Sequence, residues 1–253
     1  MPIADRYAGF VVDIDGVVLL GDTPIAGAGE AISALQARGL PVVFVTNNST
    51  RTVGGWLRAL NRAGVEVGLH DVLSSALAAA SLVAPDRTPC AVIGEEGLIS
   101  ALTDAGIPIV APSEADAVVV GWDRSVTWER LRDAAHAIGR GARFIATNTD
   151  PVYPSPDGVV PGNGATVAFL RTATGVEPEV AGKPETPLLL LAESRVGATG
   201  RAVLMIGDQI ATDVVGAVRM GWDSALVATG VAATDGPEPT YRVESVTDLL
   251  ADD

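Results

Sequence analysis

The sequence predicts an α/β protein whose core is a mainly parallel sheet. Short runs rich in Val and Ile recur along the chain without alternating polar residues, a pattern typical of strands buried on both faces. Segments with the spacing of amphipathic helices lie between these runs. Because strands that alternate with helices usually pair in parallel, we expect a Rossmann-like core.

The predicted strands are seven segments of this apolar composition. They are GFVVD (9–13), PVVFVT (41–46), CAVIG (90–94), DAVVVG (116–121), RFIAT (143–147), AVLMIG (202–207) and SALVAT (224–229). Predicted helices include GAGEAISALQARG (27–39), TWERLRDAAHAIGRG (127–141) and TPLLLLAESRVG (186–197), each followed or closed by Gly, which ends helices readily. The stretch TNTDPVYPSPDGVVPGNG (147–164) predicts a long, turn-rich loop, and such loops are often functional.

The composition excludes several classes of partner. The 253 residues carry a formal net charge of −14, whereas binding to nucleic acid requires clustered Lys and Arg. No stretch approaches the roughly 18 apolar residues of a membrane helix, and the start, MPIADRYAGF, lacks an export signal. We therefore expect a cytoplasmic protein with neither a nucleic-acid nor a membrane partner. A single cysteine, Cys90, excludes an internal disulfide.

Acidic and hydroxyl side chains follow three of the predicted strands. They are Asp13 and Asp15, then Thr46 and Asn47, and then Asp208, with Asp213 expected in the first turn of the next helix. Ligands bind at this carboxyl edge of open parallel sheets. Crowded carboxylates need a cation between them, and an all-oxygen set without His or Cys favours Mg²⁺.

Lys183 is the only lysine in the chain, whereas the other basic residues are arginines. Enrichment in arginine could leave one lysine by chance. The significance of Lys183 therefore depends on the other residues that are predicted at the same site. A compact ammonium fits a tight anionic pocket that a planar guanidinium does not. Together with the Thr46 hydroxyl and nearby backbone N–H groups, it would complete a phosphate cradle beside the metal. The sequence therefore predicts a phosphoryl-transfer site.

Four motifs in order carry a specific resemblance. DIDGV (13–17), FVTNN (44–48), the lysine of GKP (182–184) and GDQIATD (207–213) resemble the motifs of the haloacid dehalogenase superfamily of aspartate-nucleophile phosphatases. About 135 residues separate the second motif from Lys183. The resemblance therefore implies an inserted α/β cap of type IIa, as in nitrophenyl phosphatase, phosphoglycolate phosphatase and NagD-like members. The implied core is 1–76 with 181–253, and the implied cap is 77–180.

The resemblance also implies roles for the acidic residues. Asp13 matches the nucleophile that forms an aspartyl-phosphate, and Asp15 matches the acid and base that protonates the leaving alcohol and then activates water. The implied Mg²⁺ ligands are the side chains of Asp13 and Asp208 and the backbone carbonyl of Asp15, with Asp213 acting through bound water.

The remaining implied roles concern phosphate and substrate. Thr46 and the N–H of Asn47 would bind the transferring phosphoryl group, and Lys183 would balance its charge. The implied partner is a small phosphorylated metabolite, such as nitrophenyl phosphate, phosphoglycolate, glycerol phosphate or a nucleotide. The cap residues expected to sort substrates are Trp122, Asp123, Arg124 and Tyr153. A homodimer formed through the cap is also expected.

Two other functions fit parts of this pattern. A receiver-like signalling domain also gathers acidic residues, a Thr and a Lys at the end of a parallel sheet, but such domains are about half this length and have no insertion. An inactive phosphate-ester binding protein would share the fold but would not need complete motifs. We expect His70, His136 and Trp56 to be structural or exposed rather than catalytic.

Overall fold

The computed structural model describes residues 1–155, 158–230 and 235–251. These residues form two compact units. The first comprises Met1–Thr46, Val53–Leu73 and Lys183–Asp253, and the second comprises Asn47–Thr52 and Ser74–Gly182. The predicted α/β class is confirmed, since each unit is built on a parallel sheet with helices. Within the described ranges, no helix has the length and apolar character needed to cross a membrane.

The described strands are short, as is usual for α/β proteins. In chain order they are β1 (Gly9–Asp13), β2 (Leu19–Leu20), β3 (Thr23–Pro24), β4 (Val42–Thr46), β5 (Val72–Ser74), β6 (Cys90–Ile93), β7 (Ala117–Val120), β8 (Arg143–Ala146), β9 (Val152–Ser155), β10 (Gly158–Pro161), β11 (Glu179–Val180), β12 (Val203–Gly207), β13 (Asp223–Val227) and β14 (Tyr241–Val243).

The described α-helices alternate with many of these strands. They are α1 (Ala28–Ala37), α2 (Val53–Arg62), α3 (Ser75–Val83), α4 (Glu96–Asp104), α5 (Trp128–Gly139), α6 (Asn163–Thr174), α7 (Thr186–Val196) and α8 (Val215–Met220). Glycines in the left-handed conformation cap α6, α7 and α8 at their C-termini, and the one after α7, Gly197, was expected from the sequence.

The sheet of the first unit has the strand order β14-β13-β12-β1-β4-β5. The pairs from β14 through β4 are parallel. Every residue of β1, β4 and β12 is buried, which explains why these strands show no polar alternation. Trp56 packs into this core with 1 % of its surface exposed, as expected.

The register of these strands sets the position of the polar residues that follow them. Asp13 lies opposite Val45, and Val12 lies opposite Ile206. Because β12, β1 and β4 are neighbours and run in the same direction, their carboxyl ends meet at one edge. The residues that end these strands, Asp13, Thr46 and Gly207, therefore lie at this edge.

The second unit contains its own sheet, with the order β11-β8-β7-β6 and parallel pairing throughout. The predicted strands CAVIG, DAVVVG and RFIAT form its three longer members. Side chains of α5 and α6, such as Ile138 and Leu170, pack on Val118 and Val120 of β7. Cys90 is buried in β6, where its thiol donates to the carbonyl of Thr88.

The structure corrects the interpretation of residues 147–164 as a loop. Strands β9 and β10 pair antiparallel, with Tyr153 opposite Val160, and residues 156 and 157 of the predicted loop lie outside the described ranges. The Val and Tyr residues of β9 and β10 favour a strand. The prolines around them are more typical of turns, which is why the sequence predicted a loop. Asp213 is also placed differently in detail. It lies in a π-helical turn, Ile210–Val214, that leads into α8.

Candidate active site

Lys183 lies between two carboxylates of the first unit. Its Nζ is 2.8 Å from Oδ1 of Asp13 and 2.7 Å from Oδ1 of Asp213. The backbone holds both acids, because the N–H of Ile14 donates to Asp13 at 2.9 Å and the N–H of Gln209 donates to Asp213 at 3.0 Å. With 2 % of its surface exposed, Lys183 is a buried cation whose charge depends on these partners.

Asp208 joins this group directly after β12. One carboxylate oxygen from each of Asp13, Asp208 and Asp213 lies within 4.8 Å of the others. Glycines make room for this approach: a Cβ at Gly16 would lie 2.4 Å from Oδ2 of Asp208, and a Cβ at Gly207 would lie 2.2 Å from Cγ of Asp213. Gly16 also has a φ of 82°, which disfavours other residues.

The electrostatics of this group fit a divalent cation. Three buried carboxylates lie close together, and the ammonium of Lys183 contacts two of them, Asp13 and Asp213. Burial, together with the charges of Asp213 and Asp208, raises the pKa of Asp13 well above its usual range although Lys183 opposes this. Burial lowers the pKa of Lys183, but Asp13 and Asp213 more than offset that effect and raise it. Three oxygen ligands with this charge suit Mg²⁺.

Asp15 and Thr46 form the second part of the site. Asp15 is half-buried just after β1, and the hydroxyl of Thr46 donates to its Oδ2 at 3.3 Å. The chain turns away at Gly16, whose N–H donates to the carbonyl of Leu19. Asp15 is thus the more accessible of the two motif aspartates.

Asn47, the residue after Thr46, belongs to the second unit by its contacts. Its side-chain Nδ2 donates to both carboxylate oxygens of Asp150, at 3.3 and 3.1 Å. Its carbonyl accepts hydrogen bonds from the Ser75 hydroxyl and from Nδ2 of Asn148. No pattern in the sequence predicts these partners, although Asn148 and Asp150 lie in the turn-rich stretch 147–164 that is expected to be functional.

Three of the predicted selectivity residues form one cluster in the second unit. The rings of Trp122 and Tyr153 have centroids 4.6 Å apart, and Nε1 of Trp122 donates to the carbonyl of Pro161. The guanidinium of Arg124 lies 5.5 Å from the centre of the Trp122 ring. Its Nε and Nη2 donate to the two carboxylate oxygens of Glu95, at 2.8 and 2.7 Å. This bond lowers the pKa of the Glu95 carboxyl, and sequence reasoning had not identified Glu95.

Asp123 differs from these neighbours because its carboxylate is turned inward. It accepts from the N–H and the hydroxyl of Ser125 at 2.8 and 2.7 Å and pairs with Arg130 at 2.5 Å. Burial alone would raise the pKa of Asp123, but the Ser125 and Arg130 hydrogen bonds lower it. These contacts show that Asp123 stabilises the turn before α5.

The two histidines lie outside the site residues of the first unit. Nδ1 of His70 is 2.7 Å from Nη1 of Arg195 on the protein surface, and His136 is exposed on α5.

Comparison with known proteins identifies the family. The haloacid dehalogenase-like hydrolase family matches residues 10–108, and a HAD-hydrolase-like family matches residues 180–252. The chain is 34 % identical to an acid sugar phosphatase of Staphylococcus aureus over 98 % of each chain. It belongs to the haloacid dehalogenase-like hydrolase family and is a phosphoric monoester hydrolase, so the resemblance of the four motifs is confirmed.

Solved structures agree with this assignment. A p-nitrophenyl phosphatase from Archaeoglobus fulgidus superposes with a TM-score of 0.93 at 36 % identity, covering 96 % of this chain and 98 % of that one. The glycerol phosphate phosphatase Rv1692 from Mycobacterium tuberculosis, in complex with magnesium, gives a TM-score of 0.90 at 35 % identity. The match covers 98 % of this chain and 78 % of Rv1692.

Proposed function

We propose that this phosphatase is Mg²⁺-dependent and hydrolyses small phosphate monoesters through an aspartyl-phosphate on Asp13. The observation that carries the proposal is the position of Lys183, which lies within 2.8 Å of both Asp13 and Asp213 while Asp208 approaches the same point. A nucleophilic carboxylate must stay ionised beside an incoming dianion. The buried ammonium supports that ionised state.

In the first half-reaction, a carboxylate oxygen of Asp13 attacks phosphorus and the bond to the leaving oxygen breaks. Asp15 donates its proton to that oxygen, so the product leaves as a neutral alcohol. The Thr46 hydroxyl, 3.3 Å from Asp15, and the N–H of Asn47 are the proposed donors to the phosphoryl oxygens.

In the second half-reaction, water attacks phosphorus of the aspartyl-phosphate. The ionised Asp15 takes a proton from that water, and the Asp13 carboxylate leaves as inorganic phosphate forms. Throughout both steps Lys183 balances the negative charge of Asp13. The ammonium stays charged because Asp13 and Asp213 raise its pKa.

The proposed metal ligands are the side chains of Asp13 and Asp208 and the backbone carbonyl of Asp15, with Asp213 acting through bound water. Mg²⁺ would supply charge stabilisation to the transferring phosphoryl group. Support comes from the all-oxygen donor set of three closely spaced, buried carboxylates, and from the magnesium complex of the mycobacterial relative.

Small phosphate monoesters are the proposed substrates. The relatives are named acid sugar phosphatase, p-nitrophenyl phosphatase and glycerol phosphate phosphatase, and they share a small phosphorylated substrate or substrate analogue. We propose that the second unit is the cap and that its cluster of Trp122, Arg124 and Tyr153 selects among leaving groups. The homodimer through the cap stays a prediction that sedimentation analysis would test.

Steady-state release of nitrophenol tests the proposal. Asp13→Asn should lower kcat by at least about a thousandfold while circular dichroism stays unchanged, because an amide is not a nucleophile at phosphorus. Asp104→Asn, on the exposed side of α4, is the matched control and should be fully active. Activity of Asp13→Asn above a tenth of wild type would contradict the assignment. A single burst without turnover in the wild type would favour the receiver-like alternative.

A further inference from the structure

The carbonyl of Asn47 is held by two buried donors of the second unit. The Ser75 hydroxyl donates to it at 2.6 Å and Nδ2 of Asn148 at 2.7 Å. Both donors are almost fully buried, with exposed fractions of 0 and 5 %. A carbonyl that satisfies both lone pairs in this way has a fixed orientation, which restricts the backbone rotation of its residue.

The side chain of Asn47 is held as well. Its Nδ2 donates to both oxygens of Asp150. Asp150 is tied to Asn148 in turn, because its N–H donates to Oδ1 of Asn148 at 3.1 Å. Asn148 is therefore bonded through each end of its amide group: one end holds Asn47 and the other holds the residue that binds the Asn47 side chain.

Asn148 is itself fixed from α6. Nδ2 of Asn163 donates to the Asn148 carbonyl at 2.7 Å, and Asn163 is buried at the start of the helix. A Cβ at Gly182 would lie 2.6 Å from Oδ1 of Asn47, so the chain also closes on Asn47 from this side. Such a connected set of buried hydrogen bonds makes a rigid support.

The rest of the segment Asn47–Thr52 has similar anchors. The N–H of Gly97 donates to the carbonyl of Thr50 at 3.0 Å, and the Thr147 hydroxyl lies 3.2 Å from that of Ser49. A Cβ at Gly97 would lie 2.5 Å from the carbonyl oxygen of Ser49, which shows how closely α4 approaches the segment. The contacts thus support the whole segment and centre on Asn47.

We propose that Asn148 and Asp150 are positioning residues that aim the N–H of Asn47 at the transferring phosphoryl group. This inference rests on the proposed function, in which that N–H binds phosphate. A preorganised donor stabilises developing charge only when its direction is fixed before the reaction. Asn148 restrains Asn47 by donating to the Asn47 backbone carbonyl. Asp150 restrains Asn47 by accepting from the Asn47 side-chain amide.

Inorganic phosphate, the product, is the probe for this alignment. Its inhibition constant against nitrophenyl phosphate reports phosphate binding, and kcat and KM report the reaction. Asn148→Ala should raise the inhibition constant and KM by about five- to tenfold, the effect of one lost hydrogen bond. Asn148→Asp keeps the acceptor for the Asp150 N–H but places an acceptor against the Asn47 carbonyl, and should be at least as impaired.

Position 150 allows rescue by a conservative substitution. Asp150→Ala should raise the inhibition constant about five- to tenfold, whereas Asp150→Asn retains an oxygen that accepts from Asn47 and should stay within about twofold of wild type. Ser75→Ala removes the other donor to the same carbonyl and little volume. It provides an independent test with the same expected direction.

Thr174→Val is the matched control. It removes a hydrogen bond of the same unit, from the Thr174 hydroxyl to the Leu170 carbonyl on α6, so it should lower stability without changing phosphate inhibition. Folded Asn148→Asp, Asp150→Ala and Ser75→Ala proteins with wild-type inhibition constants would overturn the inference. Wild-type protein that neither releases nitrophenol nor binds phosphate would instead overturn the proposed function.

Discussion

Nζ of Lys183 lies 2.7 Å from Oδ1 of Asp213, and the other oxygen of Asp213 accepts the Gln209 N–H. Asp213 is therefore oriented before it binds the ammonium. Because the same ammonium lies 2.8 Å from Asp13, it links a structural carboxylate to the proposed nucleophile. Because the ammonium and both carboxylates are buried, we expect this position to accept only a narrow cation, and the consequences can be measured.

Lys183→Arg should reduce kcat/KM by at least about a hundredfold, corresponding to roughly 3 kcal/mol of transition-state stabilisation. The planar guanidinium cannot occupy the space of one ammonium between two carboxylates, and the buried site resists expansion. Kinetics with nitrophenyl phosphate measure the loss. Arg195→Lys, the converse exchange on the exposed surface of α7, should be nearly silent. A Lys183→Arg enzyme within a few-fold of wild type would show that position 183 tolerates either cation.

Gly16→Ala should weaken Mg²⁺ activation, because its Cβ would lie 2.4 Å from Oδ2 of Asp208. The expected results are a higher Mg²⁺ concentration for half-maximal activity and a kcat at least about tenfold lower. Gly197→Ala is the matched control: its φ is 70° against 82° for Gly16, but among the described residues other than its chain neighbours no atom lies within 4 Å of the added Cβ. Both variants should lose about 1 kcal/mol of folding free energy. Equal activity losses would contradict displacement of Asp208.

Asp13→Asn should raise the stability of the metal-free protein at neutral pH. Burial and the neighbouring carboxylates raise the pKa of Asp13, so its contribution to folding is most favourable below the unfolded pKa of about 3.9 and is lost as pH rises through the folded pKa. In chelator at pH 7 the variant should therefore melt at least about 2 °C above wild type. The difference should shrink towards pH 4. A constant difference across this range would contradict ionisation as the cause.

Glu95→Gln should favour substrates with a carboxylate in the leaving group, because Glu95 now binds Nε and Nη2 of Arg124 as an ionised partner. The expected change is a rise of about three- to tenfold in kcat/KM for phosphoglycolate relative to nitrophenyl phosphate. Arg124→Ala should shift the ratio the other way. Parallel kinetics on the two esters decide the question, and equal changes on both would reject carboxylate recognition by Arg124.

The sequence by itself determined the sheet edge and the residues that lie along it. Unbroken apolar runs predict that β1, β4 and β12 are buried on both faces. Because such strands pair in parallel, their carboxyl ends meet at one edge of the sheet. The location of Asp13, Thr46 and Asp208 at this edge then follows from their positions at the ends of these strands in the chain. Lys183 is notable in the sequence because it is the only lysine, and in the structure its ammonium contacts Asp13.

Only the tertiary structure decided which side chains hold the others. Asn47 and Asn148 are 101 residues apart, and a hydrogen bond between them leaves no periodic signal in the chain. The same applies to Arg124, whose residue type suggests carboxylate binding but cannot reveal that Glu95 already fills that role. Local patterns specify strands because burial acts on each residue in turn, whereas partners at long range depend on how folded segments pack.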